Sequence, residues 1–137
     1  MAKYFRLFIV VLLFTSCTRD VIQELLFPRL ELAPRLEMDS NGYYHLKLDS
    51  TRNQTTHRIS GNVYDIVEPT MVSWESNLTW EYMGEEVPTI NETSYVDKDG
   101  EINTMIAPIY SMKNDTLVVT ATINEWNITQ TLNIVLE

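Results

Sequence analysis

The feature that most constrains this chain is a two-residue alternation of apolar and polar side chains near its end. Successive side chains of a β-strand point to opposite faces, so this alternation predicts strands with one buried and one solvated face. In DTLVVTATI the apolar set is Leu117, Val119, Ala121 and Ile123. In NITQTLNIVL it is Ile128, Leu132, Ile134 and Leu136. The two segments are predicted to be neighbouring strands joined by the loop 124–127.

The same period continues upstream, and no helical pattern of useful length competes with it. Asn-Gly between alternating runs is a strong hairpin signal, and Asn41-Gly42 lies between RLEM and YYHLKL. Further inward-facing positions are predicted at Ile59, Gly61, Val63, Val72, Trp74, Ile102, Thr104 and Ile106. About seven short strands, with a turn every 8–12 residues, favour an all-β fold built as a single antiparallel sandwich.

The first sixteen residues have a different composition. Lys3 and Arg6 precede an apolar run over 7–14, and the small polar pair Thr15-Ser16 follows it. A basic start, an apolar centre and a small-residue end are typical of a secretory signal peptide. The apolar run is shorter than the roughly 20 residues that a membrane-spanning helix needs. We therefore expect residues 1–16 to be removed.

Cys17, the only cysteine in the chain, directly follows this segment. Phe14-Thr15-Ser16-Cys17 resembles the lipobox of bacterial lipoproteins, in the loose form of Bacteroidota envelope proteins. The resemblance implies acyl chains on Cys17, and a lipidated tether over 17–34 that ends at Pro34. Phe14 departs from the usual aliphatic residue at its position, so a plain signal peptide with an incidental cysteine is the alternative.

A second resemblance covers roughly residues 55–137. Trp74, the segment GEINTMIAPIYSMKNDTLVVTATI and the closing QTLNIVL resemble the later strands of bacterial immunoglobulin-like or PKD-like domains. The resemblance implies an immunoglobulin-like β-sandwich, which we assign to residues 35–137, with Trp74 as its core tryptophan. A single cysteine allows no internal disulfide, so packing alone must hold the two sheets together.

Charge and motif content limit the classes of function. The formal net charge is −9, and without Lys3 and Arg6 the processed chain would have eight basic against nineteen acidic residues, or −11. Phosphate backbones are repelled by such a surface, so no nucleic-acid partner is expected. The two histidines, His45 and His57, lack partners at metal-ligand spacing. No nucleophile motif appears, and we predict no enzymatic activity, no cofactor and no metal.

Two polar patterns have competing interpretations. Asp97-Lys98-Asp99-Gly100-Glu101 has the alternating acids of a calcium loop but lacks its distal glutamate, so a solvated turn is the preferred interpretation. Asn-x-Thr recurs at Asn53, Asn77, Asn91, Asn114 and Asn127. These positions would be glycan acceptors in a eukaryotic secreted protein, whereas Thr is also simply favoured on the solvated faces of strands.

Trp126 is the strongest candidate for a contact residue. It lies with Asn124 and Asn127 in the loop between the last two strands, and binding loops cluster at the ends of sandwiches. An exposed indole there could stack on a sugar or anchor a protein. The alternative is that Trp126 folds back over the core. Trp74 and Trp80 are expected to be buried, because they lie at the inward-facing positions of their strands.

These patterns predict a cell-envelope protein on the outer membrane, anchored through acyl chains on Cys17, that acts as a non-catalytic interaction module. Its partner would be an envelope protein or a glycan. Two alternatives stay open: a glycan-active envelope enzyme or accessory subunit, and a eukaryotic secreted N-glycoprotein.

Overall fold

The computed structural model describes residues 28–65 and 69–137. The predicted signal peptide, Cys17 and the first part of the predicted tether lie outside the described residues. The elements are β1 Arg29–Ala33, β2 Glu37–Met38, β3 Tyr44–Leu46, β4 His57–Tyr64, β5 Met71–Ser76, β6 Thr79–Tyr82, β7 Glu85–Pro88, β8 Asn91–Tyr95, β9 Glu101–Ile106, β10 Thr116–Ile123 and β11 Ile128–Leu136. Two short 3₁₀ turns, Tyr110–Met112 and Asn124–Trp126, complete them. The predicted all-β class is confirmed.

The strands form two main sheets and one separate ribbon. One sheet has the order β1-β4-β9, and the other has the order β2-β3-β11-β10-β5-β8. Buried side chains from both sheets belong to one hydrophobic cluster. At one lateral edge the Thr104 hydroxyl of β9 donates to the Glu92 carboxylate of β8, which links the two sheets. The ribbon pairs β6 with β7 alone.

The alternation in the sequence correctly identified the inward faces of the long strands. In β10 the four predicted positions are completely buried, and in β9 Ile102, Thr104 and Ile106 are buried. Trp74 is also completely buried, and its indole Nε1 donates to Ser94 Oγ at 2.7 Å. The single polar atom of the core tryptophan is thereby satisfied, as burial requires.

The sequence predicted antiparallel strands throughout, but one pair of strands is parallel. β3 runs parallel to β11, with Tyr44 opposite Ile134 and Leu46 opposite Leu136. The reason is the Asp39–Tyr43 turn, which folds β2 back onto β3 and leaves the other edge of β3 free for β11. Strand periodicity indicates which face is buried but carries no information on the direction of the partner strand.

The structure also differs from the predicted tether boundary. Arg29–Ala33, which the sequence analysis had placed in the tether, is strand β1 and pairs with β4 from Arg29 opposite Tyr64 to Ala33 opposite Ser60. Leu30 is buried in the core. This segment is therefore part of the folded body. Within the described residues, no helix is long and apolar enough to cross a membrane.

Candidate functional site

The loop that carries Trp126 is a short and well-defined turn. β10 and β11 stay paired up to Ile123 opposite Ile128, so only four residues connect the strands. Asn127 adopts the left-handed conformation, with φ 52° and ψ 41°, and its N–H donates to the Asn124 carbonyl at 3.3 Å. Asparagine tolerates this conformation better than most residues. The local sequence thus favours the turn that positions the tryptophan.

Trp126 projects from this turn with 49% of its surface exposed, and it is not part of the core cluster. Asn124 anchors the turn from below, because its Nδ2 donates to Ser73 Oγ of β5 at 3.2 Å. Asn127 is exposed on the other side. The structure therefore brings the three predicted contact residues into one turn, and their role in binding stays a prediction.

This turn lies at the end of the molecule where β1 begins. Arg29 is paired with Tyr64 at the end of β4, and only six residues separate Tyr64 from Met71 at the start of β5. Ser73 of β5 pairs with Thr122 of β10, just before the Trp126 turn. The chain therefore enters the described fold at the Trp126 end, and the β6–β7 ribbon follows β5 at the opposite end.

The β6–β7 ribbon exposes apolar side chains, although the sequence predicted that Trp80 is buried in the core. Trp80 is only partly buried, and its ring lies 5.5 Å from that of Tyr82. Tyr82 and Met83 are 54% and 88% exposed. Positive φ angles of 53° at Met83 and 85° at Gly84 form a tight two-residue turn of the kind that hairpins favour.

The acidic loop at 97–101 is a turn organised by its own first carboxylate. Asp97 Oδ1 accepts the N–H groups of Asp99 and Glu101 at 2.9 and 2.8 Å, and Gly100 supplies a φ of 81°. One carboxylate oxygen is thus committed to the backbone. Among residues 28–65 and 69–137, no group of three or more His, Cys, Asp or Glu side chains is placed to hold a metal ion.

A charged cluster that the sequence analysis missed joins distant parts of the chain. His45 Nδ1 lies 2.6 Å from Glu137 Oε1, and its Nε2 lies 3.4 Å from Asp39 Oδ2. The hydrogen bond with Glu137, followed by that with Asp39, raises the pKa of His45. Backbone donation, first from Tyr43, lowers the pKa of Asp39. Both ring nitrogens of His45 face carboxylates, so the cluster forms an ion-pair clasp when the imidazole is protonated.

One Asn-x-Thr site is already committed to a structural role. The Asn77 side chain donates from Nδ2 to the Thr116 carbonyl at 3.1 Å, and its Oδ1 accepts the Val118 N–H at 2.7 Å. A glycan would replace one of the two N–H groups of Nδ2, the atom that donates to β10. Asn53 is exposed, as Asn77 is.

The geometry therefore offers an exposed tryptophan on a fixed turn, an apolar ribbon tip and a charged clasp. Comparison of the chain with models of known families, with curated proteins and with solved structures found no match in any of the three.

Proposed function

We propose that this chain is a lipid-anchored envelope protein that acts as a non-catalytic interaction module. Cys17, after a signal-like segment, would carry the acyl chains, and the described strands would form an immunoglobulin-like β-sandwich. Several acyl chains inserted in a bilayer hold a protein there almost permanently, because each buried CH₂ contributes about 0.8 kcal/mol. The local concentration of the folded body for partners in the same envelope rises accordingly.

The strand order supports the immunoglobulin-like part of this proposal. In such sandwiches the first, second and fifth strands share one sheet, and the third, sixth and seventh share the other. Here β1, β4 and β9 form one sheet, while β5, β10 and β11 are neighbours in the other. β8 then occupies the extra edge position next to β5, and β6–β7 is an inserted ribbon.

The observation that carries the interaction role is the half-exposed Trp126 on a turn that two fully paired strands hold in place. A rigid aromatic loses little conformational entropy when a partner covers it, and tryptophan is enriched among residues that dominate interface energies. No catalytic arrangement is needed for such a role. The partner would be an envelope protein or a glycan at the end of the sandwich.

The anchoring is tested by expressing the wild type, Cys17→Ala and the neighbouring control Thr18→Ala in a bacterium that processes lipoproteins. We expect the wild type and the control to be in the membrane fraction, with a diacylglyceryl mass on the peptide that begins at Cys17. Cys17→Ala should lose that mass. A wild-type product that begins elsewhere and carries no lipid would refute the anchor, and hexosamine on Asn53 would favour the secreted glycoprotein instead.

The interaction role is tested in the same membranes by cross-linking. Trp126→Ala should lose a cross-linked product that the wild type forms, whereas Met83→Ala, which truncates a more exposed side chain at the opposite end, should keep it. Equal cross-linking of the wild type and Trp126→Ala would contradict the assignment of the contact to this turn.

A further inference from the structure

A shallow groove of about 200 Å³ crosses the outward face of the three-stranded sheet. Three outward positions of β4 run along it, namely Arg58, Ser60 and Asn62. Asn103 and Glu101 of β9 form one side, opposite Ser60 and Asn62 respectively. This face is distinct from the Trp126 turn and from the β6–β7 ribbon.

Two arginines stand together at one end of the groove. Arg35 lies two residues beyond Ala33, and Arg58 lies two residues before Ser60, the antiparallel partner of Ala33. The two side chains therefore line the same end of the groove. Among residues 28–65 and 69–137, the ion pairs involve His45 and Arg52 but neither of these two arginines. A bound anion at this end of the groove would reduce the repulsion between the two guanidinium charges.

The backbone that carries the pair is held firmly. His57 Nε2 donates to the Pro34 carbonyl at 2.6 Å, which ties the residue before Arg58 to the residue before Arg35. Arg35 itself has a φ of 56°, in the left-handed region that arginine seldom adopts. Residues held in such conformations cluster at functional sites, where the surrounding structure determines them.

The floor of the groove indicates what kind of molecule would lie in it. Hydroxyl and amide groups come from Ser60, Asn62 and Asn103. Among the residues that line the groove, Ala33 is the one apolar residue whose side chain is exposed. An apolar ligand would bury little there, whereas a hydroxyl-rich one would form hydrogen bonds. The groove is smaller than the roughly 300–1,000 Å³ clefts that enclose drug-sized ligands. It would hold one unit of a longer chain.

We propose that this groove binds an acidic saccharide, with a sugar carboxylate on Arg35 and Arg58 and the sugar hydroxyls along Ser60, Asn62 and Asn103. Guanidinium groups pair with carboxylates through parallel charge-assisted hydrogen bonds, which are stronger than neutral ones. Glu101 lies at the other end of the groove, where its carboxylate would accept hydrogen bonds from sugar hydroxyls. The site deepens the proposed binding role but depends neither on Cys17 nor on Trp126.

The test uses the full chain, purified in detergent, with a trimer of galacturonic acid as the probe. Titration followed by NMR should shift the side-chain signals of Arg58 and Asn103, and calorimetry should give a dissociation constant. The uncharged galactose trimer should bind at least tenfold more weakly. A triglutamate peptide that binds as well as the acidic sugar would overturn the saccharide assignment.

Three variants separate the site from general effects of charge. Arg58→Gln and Arg35→Gly should each weaken binding about tenfold, whereas Arg52→Gln, which removes a cation outside the groove, should leave it unchanged. Arg35→Gly also relieves the left-handed backbone, so its unfolding midpoint should not fall and a loss of binding cannot be attributed to misfolding. Undiminished binding by both groove variants, or no titration at millimolar probe, would overturn the proposal. Loss of anchoring in Cys17→Ala has no bearing on these readouts.

Discussion

His45 makes the stability of the fold depend on pH through a single exposed clasp. Hydrogen bonds with Glu137 and Asp39 raise its pKa above the ordinary value of 6.5. A raised folded-state pKa means that the stabilisation is fully present below the unfolded-state pKa and is lost as pH rises through the folded-state pKa. The charge-dependent part of this stabilisation should therefore be fully present below pH 6.5 and decrease as the pH rises through the folded-state pKa of His45.

The prediction is checked by the urea unfolding of the wild type and His45→Gln across this range. The difference in unfolding free energy should be largest near pH 6, small in absolute size because the groups are exposed, and smaller at pH 9 than at pH 6. The imidazole signals of His45 should titrate with a midpoint above 6.5. A midpoint at or below 6.5, or a difference that grows with pH, would show that the clasp does not form.

Individual site residues could be predicted from sequence only where the signal was local. Trp126, Asn124 and Asn127 are adjacent in the chain, so a loop between two evident strands identified them together. His45 and Glu137 are 92 positions apart, and only the parallel pairing of β3 with β11 brings them together. Arg58, Ser60 and Asn62 resemble any solvated strand face until the strand register places Asn103 and Arg35 beside them.

At the scale of elements, β1 depends on one glycine of β4. A Cβ built on Gly61 would lie 2.7 Å from the Glu31 carbonyl oxygen and 2.9 Å from Leu32 Cδ2, closer than real Cβ atoms approach. Both atoms belong to β1, whose Leu32 pairs with Gly61. Any side chain at this position must therefore push β1 away from the sheet or displace β4.

Gly61→Ala is accordingly expected to destabilise the fold by about 1–3 kcal/mol, the usual range for overpacking a well-filled interior. Denaturant unfolding gives this value, and hydrogen exchange should accelerate first at the amides of β1. Ser60→Ala, the neighbour that faces the opposite side, is the matched control and should change stability by less than about 0.5 kcal/mol. If Gly61→Ala unfolded like the wild type, the close approach of the two strands would be disproved.

The elements themselves differ in how far the sequence predicts them. The inward faces of β4, β9, β10 and β11 were predicted. Burial alternates throughout the first three of these strands, and in β11 it alternates from Leu132 onward, because Gln130 is exposed. β1 was missed because its five residues lie between Pro28 and Pro34 and turn only Leu30 and Leu32 toward the core. The β2–β3 hairpin was predicted with its turn at residues 39–42, and the turn extends one residue further, to Tyr43. Asp39 Oδ1 organises it by accepting the N–H groups of Asn41 and Tyr43.

On the scale of the whole molecule, the proposed anchor and the observed topology together define an orientation. Twelve residue steps separate Cys17 from Arg29, which limits their separation to about 40–43 Å when fully extended. Arg29 lies at the Trp126 end of the fold, and the β6–β7 ribbon lies at the opposite end. The two ends are separated by the length of the strands, which is roughly 30 Å for the nine-residue β11. A tether attached to one end keeps that end closer to the bilayer on average.

The orientation can be measured because the proposed acylation uses the single cysteine of the chain. An engineered cysteine then carries the only free thiol, and a fluorescent label on it reports its distance from acceptor lipids in reconstituted vesicles. Energy transfer should be stronger from Glu125→Cys, beside Trp126, than from Met83→Cys at the ribbon tip. Both sites are exposed, so labelling should not perturb the core. Equal transfer from both sites would mean that the body lies flat or tumbles freely, and stronger transfer from the ribbon would mean that the Trp126 turn points away from the membrane.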